Sequence, residues 1–340
     1  MRALLVLALH ATAAAATRFS GAGDTVLLAG GSTVAAATNN VVDADDRTGL
    51  ADLAEVLAAI GSSRTVTLSA YTLSPRSRVT RALVAAAKSG RSIHLVLTGD
   101  GMAGAVRDNE ALADSLCAAT GGTGARDRTD GRLAPVCAGA LRIDLTRFPL
   151  HMKAVVTDGA VYVSDRNWTA SRRSLILRVP ASARLAVERA VLGSPSTAGN
   201  LTTRKADSLA NEAALLSRQR SHVVLVESES FGRGAVAMHL GARARAGDDV
   251  TLVVARMEYE RSDAERTLVA ELVRAGVHAY IGTSDEKIAV DGDAAWLGSS
   301  NATPGVPDQV DWGFTTTDPS LARTLAQHVR EDAAAGEPVR

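Results

Sequence analysis

The sequence predicts an α/β fold of two similar halves, each a mixed sheet covered by helices, related by an approximate two-fold axis. Two observations predict it. A strand–helix–strand pattern occurs twice along the chain, and a segment with lysine and asparagine at a fixed separation also occurs twice. With 340 residues, of which 46% are hydrophobic, the chain can bury a sizeable core in each half.

The repeated pattern joins two β-branched, apolar segments through a stretch of helical periodicity. Its two copies align without a gap, so that Gly90 of the first matches Gly247 of the second. Such a unit places its two strands side by side and parallel in a covered sheet. The predicted ranges are 65–68, 78–88 and 93–97 in the first copy and 222–225, 234–246 and 250–254 in the second, with further helices at 205–218 and 320–335.

The chain divides into four predicted segments: a signal peptide at 1–16, a first half at 24–193, a linker at 194–204 and a second half at 205–336. At the start, a positive residue, an apolar stretch and a tract of small residues follow one another, which is typical of an export signal. After export and removal of the signal peptide, the mature protein is expected to be periplasmic or secreted. A buried N-terminal helix is the alternative. The linker is predicted from its Ser, Pro, Gly and Asn content.

Cys117 and Cys137 are the whole cysteine content of the chain. In an oxidising compartment such a pair often forms a disulfide, and closing the loop between them contributes about 3 kcal/mol. Both cysteines lie where the first half is longer than the second, so the bridge would stabilise an insertion particular to the first half. Two independent buried thiols are the alternative. Without a neighbouring histidine, the pair is not expected to bind zinc.

The charge composition excludes a general attraction to polyanions. The chain has 37 basic and 37 acidic residues, and only 3% of its residues are aromatic, which favours neither nucleic acid nor an anionic membrane. A local cluster must therefore bind any phosphate. No apolar run is long enough to span a bilayer. Arginine dominates the basic residues, and the lysines are Lys88, Lys153, Lys205 and Lys287.

The candidate site is a segment in which His151, Lys153 and Asp158 have the spacing His-x-Lys-x4-Asp, with Asn167 nine residues further on. An imidazole can attack phosphorus and leave again. A lysine supplies a compact positive charge, and an asparagine donates amide hydrogens to phosphate oxygens. His151 and Lys153 are two residues apart on a predicted strand, so their side chains share one face.

The second half repeats part of this segment. Lys287 and Asn301 have the same separation as the lysine and asparagine of the first copy, while Asp285 stands at the histidine position. Sliding the alignment by one residue instead matches Asp291 with Asp158 but loses the lysine match. We prefer the lysine match because it keeps the whole Lys-to-Asn spacing. Both lysines are then expected to contact one anion between the halves.

The segment resembles the HKD motif of the phospholipase D superfamily, whose pattern is HxKx4D followed by a Gly-Ser-x-Asn turn. The duplicated layout resembles that family over roughly residues 50–335. The resemblance implies a phosphodiesterase without metal or other cofactor, and a covalent phosphohistidine on His151, with Asp158 helping to orient an imidazole. It also implies that four further residues bind the phosphate: Asn167, Lys287, Ser299 and Asn301.

The sequence departs from the family pattern in both copies. The second copy lacks the histidine that protonates the leaving group, and the first has Ser164 in place of the glycine of the turn. Three outcomes follow: an active monomer with Asp285 or Glu286 as general acid, two chains that pair and each contribute a histidine, or a protein that binds a phosphodiester without cleaving it. Glu227 and Glu229, at the end of a predicted strand, are further candidate acids.

We expect an exported, monomeric phospholipase D-like phosphodiesterase that hydrolyses, or transfers at, a phosphodiester. Phospholipid, and hence lipid degradation, is favoured over nucleic acid because neither the net charge nor the aromatic content suits a polyanion. Two alternatives stay open. One is a catalytically weak or inactive protein that binds phosphodiesters, and the other is a nonspecific nuclease of the same superfamily.

Overall fold

The computed structural model describes residues 50–122, 137, 139–168, 175–179 and 181–340, together with short strand segments at 25–27, 33–36, 126–127 and 134–135. The predicted signal peptide, 1–16, lies outside the described residues. Within the described part of the chain, no helix is both long and apolar enough to cross a membrane.

The first half forms a mixed sheet covered by helices. Its strands are β1 (Thr25–Leu27), β2 (Thr33–Ala36), β3 (Thr65–Ala70), β4 (Ser92–Thr98), β5 (Arg126–Asp127), β6 (Ala134–Pro135), β7 (Leu141–Thr146), β8 (Lys153–Thr157), β9 (Val161–Ser164) and β10 (Ile176–Val179). Its helices are α1 (Leu50–Ser62), α2 (Arg78–Lys88), α3 (Ala103–Ala119) and α4 (Arg184–Val191), the last preceded by a 3-10 turn at Ala181–Ala183. Among the described strands, the sheet order is β1-β2-β10-β9-β8-β3-β4-β7, and β5 pairs with β6.

The second half forms a similar sheet. Its strands are β11 (Thr197–Ala198), β12 (Leu201–Arg204), β13 (Val223–Ser228), β14 (Asp249–Ala255), β15 (His278–Gly282), β16 (Ile288–Asp291), β17 (Ala294–Gly298), β18 (Val310–Thr316) and β19 (Glu337–Pro338). Its helices are α5 (Lys205–Ser217), α6 (Ala235–Arg245), α7 (Arg256–Arg261), α8 (Asp263–Arg274) and α9 (Pro319–Ala335). Their described order is β11-β12-β18-β17-β16-β13-β14-β15-β19. The predicted fold class is confirmed.

Helix α2 illustrates how local sequence sets these elements. The Ser77 side chain caps its start by accepting the N–H of Thr80 at 3.0 Å. Val79 and Leu83 are buried on one face, and Gly90 takes a left-handed φ of 81° just beyond the helix end. The flanking strands β3 and β4 pair in parallel, as predicted, and so do β13 and β14 around α6.

The segment at 194–204, predicted to be a linker, is part of the second sheet. It contains β11 and β12, which pair with each other, and β12 also pairs with β18, where Leu201 lies opposite Phe314. Leu201 is buried in a cluster shared by both halves. Turn-forming composition therefore indicated the bends of this segment but not the strand pairing, which depends on a partner distant in sequence.

The predicted disulfide joins Cys117, near the end of α3, to Cys137. The connection that carries it runs from 99 to 140, between β4 and β7. The corresponding connection of the second half, from 256 to 277, is shorter and holds α7 and α8. The bridge thus lies in the first-half insertion, as the sequence indicated, and ties the longer connection back to a helix that packs on β4 and β7.

The two sheets meet through a common apolar core. Side chains of both halves belong to one buried cluster, including Val163, Leu177, Leu297 and Trp312. The Trp312 indole N–H donates to the carbonyl oxygen of Ser164 at 2.8 Å, which satisfies the one polar group that this ring buries. Burial of a continuous apolar surface holds the two halves in a fixed relative position. This position determines which side chains face each other at the site.

Candidate active site

A cleft of about 940 Å³ is lined by residues of both halves. Of the residues predicted from the sequence, those that line it are His151, Lys153, Asn167, Glu229, Asp285, Lys287 and Asn301. The lysine-matched alignment therefore places residues from distant parts of the chain around one cavity. Two cationic side chains and two amides in such a cavity can surround a single phosphate group.

Backbone pairing between the halves positions the histidine. The Val310 carbonyl oxygen accepts the N–H of His151 at 2.8 Å and that of Met152 at 2.9 Å, and the Val310 N–H donates to the Pro149 carbonyl oxygen at 2.9 Å. These bonds hold the residues just before β8 against the start of β18. As a result, Asp311, which follows Val310, lies beside the His151 imidazole.

The His151 imidazole is held on several sides. Its Nδ1 is 3.2 Å from Asp311 Oδ2, Lys153 Nζ is 3.0 Å from its Nε2, and the Tyr71 ring meets it edge-on with 5.3 Å between centroids. The side chain is only 15% exposed. Lys153 Nζ also lies 3.1 Å from Nδ1. When Nδ1 donates to Asp311, the lone pair of the neutral ring is on Nε2, which is the tautomer that a nucleophilic histidine needs.

The charges around this imidazole favour its neutral form. Burial lowers the pKa of His151, and the Lys153 ammonium lowers it further, while Asp311 opposes them. Burial also lowers the pKa of Lys153 to about 8, with Lys287 adding to the effect and Asp311 opposing it. Burial alone would raise the pKa of Asp311, but His151 and Lys153 bring it to about 2. Near neutral pH, an uncharged imidazole therefore lies against an ionised carboxylate.

Asp311 was missed by the sequence analysis, and it supplies the orienting role that was assigned to Asp158. It is a single acidic residue at the start of an apolar strand, and that isolation is the one signal that the sequence offered. Ser299, predicted to bind substrate, is fully buried and does not line the cleft. Its hydroxyl donates to Asp311 and accepts the Trp312 N–H at 3.2 Å, so Ser299 positions the carboxylate behind the histidine.

Asp158 lies at the other end of β8 from the imidazole. Its carboxylate accepts the backbone N–H of Arg64 at 2.6 Å and bonds the Thr65 hydroxyl. The prediction that it orients an imidazole is wrong, because five strand residues separate the two ends by about 17 Å. Asp291 takes the equivalent place in the second half, accepting the Arg220 N–H at 3.0 Å, so the motif aspartate fixes a strand end in both halves.

Lys287 has a different set of partners from Lys153. Its Nζ lies 2.9 Å from Glu229 Oε2 and donates to the Asp285 carbonyl oxygen at 2.7 Å. Burial would raise the pKa of Glu229, but Lys287, with His151 and Lys153, lowers it to about 2. Glu229 is therefore ionised and partly neutralises the cationic floor of the cleft, so an incoming phosphate competes with it for Lys287.

A third lysine in the cleft was not assigned to the site from the sequence. Lys205, the first residue of α5, is buried, lines the cleft, and has its Nζ 3.3 Å from the Thr303 hydroxyl. Burial lowers its pKa, which Asp311 opposes. Lys88 is exposed on α2. Three of the four lysines thus face one cavity, and the scarcity of lysine in the sequence was the signal that could have found the third.

The two asparagines of the cleft differ in how they are held. Asn167 Oδ1 accepts the Thr72 N–H at 3.1 Å, which sets the orientation of its amide at the cleft wall. Asn301 follows β17 and lines the same cavity, and its Oδ1 has no hydrogen-bond partner among the described residues. The pair therefore comes from one half each, as the repeated Lys-to-Asn spacing predicted.

The two carboxylates predicted as general acids differ in position. Asp285 lines the cleft, but its carboxylate is engaged in an ion pair with Arg166. Glu286 does not line the cleft; it is fully buried and bonded by His328 Nδ1 at 3.2 Å. Consecutive residues of an extended chain point to opposite sides, so Glu286 cannot reach an anion held by its neighbour Lys287.

Asp165 has the properties that an acid requires. It stands in the turn where the first half departs from the family pattern, lines the cleft, and is buried. Its Oδ1 accepts the Leu175 N–H at 2.8 Å, while its Oδ2 has no hydrogen-bond partner in the described part of the chain. Burial raises the pKa of Asp165 to about 7, although Arg166 and Lys287 oppose the rise. It can therefore carry a proton near neutral pH.

The fold that carries this cleft is also found in proteins of known structure. The chain is similar to phosphatidylserine synthase from Haemophilus influenzae Rd KW20, with a TM-score of 0.59, 8% identity and 84% of each chain covered. It is also similar to polyphosphate kinase from Porphyromonas gingivalis, with a TM-score of 0.52 and 15% identity over 81% of this chain; it spans 47% of that protein. No family model matches the sequence, and no curated protein matches it. The chain shares the fold of these two proteins, in agreement with the resemblance to the phospholipase D superfamily seen in its sequence.

Proposed function

We propose that the protein is a phosphodiesterase that cleaves through a phosphohistidine on His151. The observation that carries the proposal is the His151–Asp311 pair, a largely buried imidazole whose Nδ1 faces a carboxylate from the other half. Lys153 and Lys287 would bind the nonbridging oxygens of the phosphate, and Lys205 adds positive charge at the edge of the same cavity. The retained asparagines would donate amide hydrogens to those oxygens.

In the first step, His151 Nε2 attacks phosphorus and the bond from phosphorus to the leaving oxygen breaks. Asp311 stabilises the positive charge that develops on the ring. We assign the general acid to Asp165, which gives its proton to the leaving alkoxide. In the second step, Asp165 takes a proton from water, or from a second alcohol, as that oxygen attacks the phosphohistidine and releases the imidazole. Asp285 is a weaker candidate because its carboxylate is engaged in an ion pair with Arg166.

The substrate class we favour is a phospholipid, acted on by an exported enzyme. Beyond the lysines, the cleft wall carries acidic groups, including Asp108 and Glu258, which disfavour a long polyanion. Two methionines of the cleft wall, Met102 and Met257, are 70% and 53% exposed, and apolar side chains at the mouth suit an amphiphile. The Cys117–Cys137 disulfide supports export.

The test is to trap the covalent intermediate. The mature chain is mixed with phosphatidylcholine vesicles, plasmid DNA or an aryl phosphodiester, quenched in alkali, and digested for mass spectrometry. We expect phosphorylation or a phosphatidyl adduct on His151, and no turnover by His151→Ala. His222→Ala, at an exposed histidine outside the cleft, is the matched control and should retain full activity.

Each other outcome identifies an alternative. Turnover of plasmid DNA alone would support a nuclease and reject the lipid assignment. Binding of phosphate or vesicles without turnover of any of the three substrates would support a binding protein. Activity that survives His151→Ala would reject the phosphohistidine.

A further inference from the structure

A second group of acidic side chains lies away from the cleft, between α9 and the second sheet. It consists of Glu227 on β13, Glu286 just before β16, and Asp332 on α9, and one carboxylate oxygen from each lies within 4.8 Å of the others. None of the three lines the cleft. Three carboxylates this close together repel one another unless protons or a cation separate them.

Both buried members of this acidic cluster have carboxylate oxygens without a hydrogen-bond partner. Glu227 is 1% exposed, and neither of its carboxylate oxygens accepts a hydrogen bond within the described residues. Glu286 has one oxygen held by His328 and the other, Oε1, without a hydrogen-bond partner. Burying unpaired carboxylates costs several kcal/mol, so such groups are usually neutralised.

We propose that Glu227, Glu286 and Asp332 bind one hard divalent cation, of the Ca²⁺ or Mn²⁺ class. All three offer oxygen ligands, which such ions prefer, and each carboxylate can supply one or two of them. The rigidity of the cluster selects among cations. Ca²⁺ accepts about six to eight oxygens at about 2.3–2.6 Å in flexible geometry, whereas Mg²⁺ demands a near-ideal octahedron at about 2.0–2.1 Å, which carboxylates fixed on three separate segments do not readily form.

The surrounding elements support this assignment. His328 and Asp332 are four residues apart on α9 and therefore face the same way. The imidazole bonds Glu286 Oε2 at 3.2 Å, as a group that orients a metal ligand would, while Oε1 has no hydrogen-bond partner within the described residues. Glu227 lies opposite Ile288 on the neighbouring strand. A cation here would join α9 to two strands of the sheet that also carries Lys287.

The experiment measures metal content directly. The whole mature chain is freed of metal with EDTA, dialysed against Ca²⁺, Mn²⁺ or Mg²⁺ at pH 7.5, and analysed by ICP mass spectrometry and thermal unfolding. We expect one Ca²⁺ or Mn²⁺ per chain, a higher melting temperature with either ion, and at least tenfold weaker binding of Mg²⁺. Glu227→Gln should weaken Ca²⁺ binding by more than tenfold.

Glu212→Gln is the matched control. Glu212, on α5, is also 1% exposed and has one oxygen without a partner, but it stands outside the cluster. It should leave Ca²⁺ binding unchanged. The proposal is overturned if none of the three ions binds stoichiometrically at millimolar concentration, in which case the carboxyl groups are neutralised by protonation. It is also overturned if Glu227→Gln and Glu212→Gln change Ca²⁺ binding equally. Should Glu227→Gln not fold, Asp332→Asn and the wild-type dialysis decide the question. The test measures metal binding and thermal unfolding, so its result does not depend on whether His151 is catalytic.

Discussion

Replacing Asp311 with asparagine tests the central geometry of the proposed mechanism. The carboxylate accepts from His151 Nδ1 at 3.2 Å, and the amide would instead present its NH₂ group to that nitrogen. A hydrogen bond to a charged group contributes about 1.5–3 kcal/mol, which corresponds to roughly 10- to 150-fold in rate. Forcing the wrong tautomer adds to this loss, so we expect kcat to fall by roughly 10²- to 10⁴-fold.

The assay compares Asp311→Asn with Asp158→Asn, the motif aspartate at the far end of β8. Asp158→Asn should lower the melting temperature, because backbone N–H groups lose their acceptor, and leave kcat unchanged. Asp311→Asn should also move the acidic limb of the kcat/KM profile to lower pH, because the Asp311 charge raises the pKa of His151. A large loss of kcat in Asp158→Asn together with an active Asp311→Asn would refute the reasoning.

Three further predictions concern other residues. Asp165→Asn should lower kcat by about 10²- to 10⁴-fold in a steady-state assay, whereas Asp285→Asn should keep near wild-type turnover; the reverse order would move the acid to Asp285. Cys117→Ser should lose about 3 kcal/mol in urea unfolding and keep its activity at low temperature; unchanged stability would contradict the bridge. Burial raises the pKa of Glu212 from 4.5 to about 8, so this group stabilises the fold fully below pH 4.5 and progressively less as pH rises to 8. The melting temperature of Glu212→Gln should not show this decrease in stability between pH 4.5 and about 8. If wild type and Glu212→Gln have the same pH profile, Glu212 is not the source of the pH dependence.

The repeats were enough to predict the architecture and half of the site. Apolar periodicity predicted α2 and α6, and the parallel pairing of their flanking strands follows from the helical crossover between them. Lys153 and Lys287 could be matched because duplication kept their spacing to an asparagine. These features depend on residues near one another in the sequence, where composition and spacing carry the information.

The features that were missed depend on contacts between distant segments. Asp311 faces His151 only because Val310 pairs with the other half, and nothing in the local sequence of β18 encodes that pairing. The role of Asp158 was misjudged because spacing along a strand does not state which end faces the cleft. Asp165 and Lys205 could not be assigned to the site from the sequence, because their burial depends on how the sheets pack.

The exchange of hydrogen bonds at Val310 divides the proposed machinery between the two halves. The imidazole that we propose as the nucleophile belongs to one copy of the repeated unit, and the carboxylate beside it belongs to the other. Neither half on its own would contain both members of this pair. A protein cut down to either half should therefore lose the proposed chemistry even where that half still folds.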